Sequence, residues 1–150
     1  MRWWGLLAAA AALAVVAPAC GSTKATAAHD TSVFHLKPGS CVVPPTDIKA
    51  SVSSVKVVPC SAPHTQEVYA EVTDPAKGNY PGLAALRTFA DGACLQRFAA
   101  YTGVDYRDSS LFYTYLLPSV RSWATDDRTV VCIVTTTGVP LTSSVRASAK

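Results

Sequence analysis

Four cysteines, Cys41, Cys60, Cys94 and Cys132, constrain this chain more than any hydrophobic pattern in it. A fifth, Cys20, closes an N-terminal leader and has a separate role. An even set of cysteines in an exported chain reads as two disulfides. Three pairings are formally open, and the adjacent one, Cys41–Cys60 with Cys94–Cys132, is expected. The first bridge closes a loop around "VVPPTDIKASVSSVKVVP", which is polar, proline-bearing and poor in core residues. The second pins a helix to a strand. Each is worth roughly 3–4 kcal/mol in the loop-entropy account. That is large beside the roughly 5–15 kcal/mol net stability of a whole domain.

The leader supports export. "MRWWGLLAAAAALAVVAPAC" has a positive n-region at Arg2, an uncharged apolar run from Trp3 to Val16, and small residues before Cys20. This is a secretory signal. The run is short for a bilayer, which needs about 20 apolar residues. Small residues directly before a cysteine resemble the lipobox of bacterial lipoproteins. The resemblance implies cleavage before Cys20, a diacylglycerol thioether on its sulfur and acylation of the new amino terminus. Two or three acyl chains anchor stably where one is marginal. Ala17 stands where the lipobox usually has Leu, and Pro18 is uncommon there, so cleavage after Ala19 by the ordinary signal peptidase is the alternative, giving a secreted protein. The expected organisation is a signal over 1–19, lipidated Cys20 with a flexible tether to 32, one domain over 33–146 and a polar tail over 147–150. "GSTKATAAHDTS" has no apolar periodicity, and His29 within it reads as a solvated linker residue.

Charge excludes one class of partner. The formal charge is +3, from 13 basic and 10 acidic residues. The basic residues are scattered and leave no nucleic-acid footprint.

Along the domain, "CVVPP" reads as a short edge strand and "SVKVV" as a second. "TQEVYAEVT" alternates, with Val68, Ala70 and Val72 expected inward and Glu67, Tyr69 and Glu71 outward. "YPGLAALRTFADGACLQRFAAYTG" is the one convincing helix. Pro81 suits its first position and Gly103 its C-terminal cap. Leu83, Leu86, Ala90, Cys94, Arg97 or Phe98, and Tyr101 form its buried face. Gly92 inside it suggests close backbone packing. "LFYTYLLP" reads as a strand ending at Pro118. "RTVVCIVTT" is the strongest strand, with Val130, Cys132 and Val134 on one face and Val131 and Ile133 on the other. The expected class is α+β: a small antiparallel sheet of four to five strands with one main helix packed across it.

Cys60 and His64 form a C-x3-H pair with Glu67 behind it. A structural zinc needs three or four Cys or His ligands, and no second close pair accompanies this one. A Cys–His nucleophile needs a free thiolate beside a base, and Cys60 belongs to the even set. His64 is therefore expected to brace a turn, its ring bonded to turn backbone or to Glu67. Asp105, Asp108, Asp126 and Asp127 are loop acids that could serve glycoside hydrolysis if paired, though acids on polar loops are usually solvated. There is no Gly-x-Ser-x-Gly and no phosphate loop. Trp123, between Arg121 and Arg128, reads as capping the edge of a small core, with a recognition surface as the alternative.

The order of these features resembles the septum formation domain of exported and membrane-anchored actinobacterial proteins. The matching pieces are Gly39-Ser40-Cys41, Val58-Pro59-Cys60-Ser61-Ala62-Pro63-His64 with Glu67-Val68, Cys94, Pro118, Trp123, Asp127-Arg128-Thr129-Val130-Val131-Cys132, Leu141-Thr142 and Ser144-Val145. Ser40 replaces the family's acid, and Asp126 stands where a Gly before Asp-Arg is usual. The resemblance implies a cell-envelope role near division. It implies no reaction, cofactor or catalytic residue. The expectation is a non-enzymatic, lipid-anchored envelope module that binds envelope or division proteins, without cofactor or metal. The rivals are a small envelope hydrolase using the loop acids or His64, and a surface adhesion module with no division role.

Overall fold

The apolar residues on both faces of "TVVCIVT" require cover on both sides. The computed structural model, which describes residues 27–47 and 52–150, supplies it. This segment is strand β6, Thr129–Thr135, and its Val130 to Val134 are all buried. The other strands are β1 (His29–Ser32), β2 (Cys41–Val43), β3 (Ser54–Val58), β4 (Gln66–Thr73) and β5 (Phe112–Leu116). They form one six-stranded sheet in the order β1-β3-β2-β4-β6-β5, with every pairing antiparallel. The main helix is α1, Leu83–Thr102, and a single helical turn, α2, spans Val120–Trp123. The fold is the expected one with one more strand.

Leu86, Ala90, Cys94, Phe98 and Tyr101 recur at steps of four and three and are the buried side of α1. Ala90, Cys94, Phe98 and Tyr101 pack with Ala70, Val130, Cys132 and Val134 on one face of the sheet. The opposite face carries Val42, Val55, Val68, Val131 and Ile133, capped by Leu36. Gly103 takes φ 86° and ends the helix, its N–H donated to the Ala99 carbonyl. At the start, Leu83 is exposed, Gly82 is the N-cap and Pro81 lies outside the helix. A methyl group at Gly92 would meet nothing within 4 Å, so the expected close packing there is absent. Both expected disulfides are present, Cys41–Cys60 joining β2 to the end of β3 and Cys94–Cys132 joining α1 to β6.

Other expectations are corrected. His29–Ser32, read as tether, pairs with β3 as an edge strand. Cys41–Val43, read as an edge, lies between β3 and β4. In β4 the pairing with β6 slips between Val68 and Ala70, so Tyr69 is an extra residue, a β-bulge. The slip breaks the period of two. Val68 joins the core opposite the helix, while Tyr69 and Ala70 both join the helix-side core. Glu67 and Tyr69, expected to face solvent, are buried. The C-terminal stretch also packs. Leu141 and Val145 enter the core. The N–H groups of Ala147 and Ala149 bond the Tyr101 and Thr102 carbonyls at 2.8 Å, taking up free acceptors at the end of α1. The leader, Cys20 and the tether through residue 26 lie outside the described residues.

Candidate functional site

His64 follows Pro63 in the short connection from the Cys60 disulfide to β4. Its backbone N–H and C=O pair with Leu141 at 3.0 and 2.7 Å, which docks the C-terminal segment beside β4. The ring is buried. Nδ1 lies 2.8 Å from the Ala62 carbonyl, so it carries the proton and donates, and Nε2 has no hydrogen-bond partner among the described residues. Of the two partners expected for the ring, turn backbone is the one found.

Glu67 lies three residues on, on the helix side of β4 and fully buried. Burying a carboxylate without partners is costly, and three donors converge on this one. Tyr101 Oη and Ser144 Oγ donate to Oε1 at 2.5 and 2.6 Å, and the Val145 N–H donates to Oε2 at 2.8 Å. One acid thereby ties β4 to the last turn of α1 and to the C-terminal segment. Burial first, and the bond to Glu67 second, push the Tyr101 hydroxyl from its ordinary 10.0 up to about 12. The Arg146 guanidinium covers the Tyr101 ring, 4.4 Å from its centroid. Tyr69 donates to the Cys94 carbonyl at 2.9 Å, and burial raises its ionisation as well.

Cys41, His64 and Glu67 each offer a ligand atom within 4.8 Å of the others. The donor set does not fit a metal. A cysteine ligand is a thiolate, and the Cys41 sulfur is bonded to Cys60. The Glu67 oxygens already accept three hydrogen bonds.

At the other end of β4, Trp123 is buried and its Nε1 donates to the Gly78 carbonyl at 2.8 Å. Tyr80 meets its ring edge-on at 5.9 Å. The Arg128 guanidinium stacks 3.8 Å from the ring centroid and donates to the Trp123 and Asp127 carbonyls. Asp127 accepts from the Thr129 N–H at 3.0 Å, fixing the entry to β6. Trp123, Asp127 and Arg128 thus close the turn between α2 and β6 against the 78–80 loop. Asp126 has φ 70°, the left-handed region that a Gly would enter without strain.

The loop acids do not converge. Asp105 accepts from the Arg107 N–H in the turn before β5, with Asp108 in the same turn, while Asp126 and Asp127 lie beyond the far end of that strand. Five extended residues span about 17 Å. Carboxyl pairs for glycoside hydrolysis stand about 5–9.5 Å apart.

A further concavity lies on the sheet face away from α1. It is a cleft of about 160 Å³ with Val33, Phe34, Leu116, Leu117 and Val131 as its apolar lining. Its polar lining is Lys37, bonded to Glu71 at 3.0 Å, with Asp127 and Thr129. Phe34 is 62% exposed at the rim, and Phe112 on the same sheet face is 48% exposed. Sequence reasoning missed this cleft, because Asp127, Thr129 and Val131 read as motif and strand residues and Leu117 as the end of a strand.

A family model described as Septum formation matches residues 15–146. The chain belongs to the septum formation family. The match covers every strand, both disulfides, the Glu67 cluster and the Trp123–Arg128 turn. No curated protein and no solved structure matches the chain. Membership and the two disulfides mark this septum formation protein as extracytoplasmic with a septum-related role, and among the described residues no helix is long and apolar enough to cross a membrane.

Proposed function

We propose that this protein is a non-enzymatic binding module of the cell envelope, held to the outer face of the membrane by acyl chains on Cys20 and recruited to the septum through a partner protein. Family membership supports the septal part of this reading. The observation that carries the binding part is how the polar groups are used. Glu67, Trp123, Asp127 and Arg128 spend their hydrogen bonds inside the fold, and His64 spends its ring donor there. The cleft lined by Phe34 and Leu117 is instead open, with Phe34 and, on the same sheet face, Phe112 exposed. Exposed apolar surface rimmed by polar residues is the mark of a protein contact. The leader ending at Cys20 supports the anchor.

Two readouts test the reading. Lipid labelling of the wild type and fractionation of Cys20→Ser test the anchor. The variant should leave the membrane fraction or accumulate as uncleaved precursor. An unlabelled wild type, with a processed variant that still fractionates with membranes, contradicts it. A fluorescent fusion should concentrate at division sites, and a uniform distribution around the envelope contradicts the septal role.

A further inference from the structure

The two edges of the sheet are built differently. At one edge, β1 has four residues, "HDTS", with Asp30 in the middle. Short, charged edges discourage pairing with another chain. At the other edge, β5 reads "FYTYL". It has no charge, no proline and no bulge, and its register with β6 runs unbroken through five pairs. Among the described residues, no hydrogen bond reaches its outward backbone. An uncharged, flat, aromatic edge of this kind is a ready template for a further strand.

We propose that β5 pairs with β5 of a second copy, antiparallel about a two-fold axis at Thr114, to join two sheets into one. The sequence is self-complementary about that point. Thr114 falls opposite its own copy, Tyr113 opposite Tyr115 of the partner subunit, and Phe112 opposite Leu116 of the partner subunit. Directly opposite residues share a face. The register with β6 puts Tyr113 and Tyr115 on the helix side, and Phe112, Thr114 and Leu116 on the cleft side. Aromatic pairs therefore meet on one face, and the exposed Phe112 gains an apolar neighbour on the other. The flanks agree in charge. The turn before β5 holds Asp105, Arg107 and Asp108 and is net acidic, while α2 after it holds Arg121. Antiparallel pairing sets the acidic end of one copy beside the basic end of the other. A two-fold contact of this type closes on itself and gives a dimer, not a fibre. It also brings the two clefts, each lined by Leu116 and Leu117, to the same side of the joined sheet. The pairing does not depend on the septal role.

The test uses the full chain purified in detergent. Sedimentation should give a concentration-dependent dimer. Thr114→Cys should form an intermolecular disulfide with its own copy under mild oxidation, while Thr88→Cys, on the exposed side of α1, should not. Thr114→Lys places like charges opposite each other and should weaken the dimer about tenfold or more, with unchanged circular dichroism and, at dilutions where both chains are monomeric, an unchanged melting temperature. If Thr114→Lys unfolds the chain, the Thr114→Cys crosslink decides alone. A chain that stays monomeric at every concentration overturns the proposal. So does a dimer indifferent to Thr114→Lys that yields no Thr114→Cys crosslink, which would place the interface elsewhere. A Thr114→Cys crosslink formed in membranes to another envelope protein, in place of the chain's own copy, overturns it in favour of a partner strand.

Discussion

A single buried acid organises the helix side of this domain. Glu67 receives a tyrosine, a serine and a backbone N–H from two other elements. Glu67→Gln keeps the shape but turns an amide N–H₂ toward at least one of these donors. A loss of about 3 kcal/mol is expected in denaturant titration, because a charge-assisted bond goes and a buried donor is left unpaired. The same cluster sets an alkaline limit. Below pH 10 Tyr101 is protonated in the folded and unfolded chains alike. Above it the unfolded chain loses the proton first, since the folded value is about 12. Stability should therefore fall between these two values, and Tyr101→Phe should make that fall shallower. Tyr69, Tyr113 and Tyr115 shift in the same direction and leave a residual slope. His64 contributes less, with one ring bond and one unpaired nitrogen. His64→Ala should cost about 1–3 kcal/mol, His64→Asn less, and chelators should leave the melting temperature unchanged. A chelator-induced drop restored by zinc and absent in His64→Ala would contradict the bracing role.

At the scale of elements, the two disulfides close loops of different length and setting. Their sequence separations of 19 and 38 correspond to roughly 3 and roughly 4 kcal/mol of loop entropy. Cys94 and Cys132 also lie at the centre of the helix-side core. Replacing them with Ala should lower the urea midpoint more than replacing Cys41 and Cys60. The opposite ranking would show that the β2–β3 corner depends on its bridge more than the helix does. The turn before β6 gives a further test. Asp126 adopts φ 70°, and its ion pair with Arg128 is 3.5 Å long and weak, because the Asp126 carboxylate is in solvent. Asp126→Gly should change stability by less than about 1 kcal/mol, while Asp126→Val should lose about 1–2 kcal/mol, because a β-branched side chain lacks the tolerance for this region that a short polar one has. The helix, β3, β5, β6 and the pairing of the cysteines were legible from apolar period, caps and cysteine parity. The Glu67 cluster was not. Period-two reading assumes an unbroken strand, and nothing in "TQEVYAEVT" marks Tyr69 as a bulge, since no glycine or proline stands there. β1 was missed for a related reason. "HDTS" has no apolar face, and its strand is held by backbone pairing to β3 alone.

At the scale of the molecule, most of the family's motif residues act as clamps, while Asp127, Thr129 and Val131 of the same set also line the cleft. Cys41, Cys60, Cys94, Cys132, Glu67, Trp123 and Arg128 hold elements together, and the cleft lies across the sheet from the helix. The sequence carried the framework because each clamp needs a particular residue type. It did not carry the cleft, which arises where Val33 and Phe34, the end of β5 and β6 converge, with only ordinary apolar residues from each. We propose that this face brings the protein to the septum. Phe34 tests it, because its ring is mostly in solvent and Phe34→Asp leaves the core untouched. In dividing cells, a fluorescent fusion of the wild type should concentrate at the septum. Phe34→Asp, present in the membrane at equal amount, should spread evenly around the envelope. Septal enrichment of Phe34→Asp equal to that of the wild type would contradict the account.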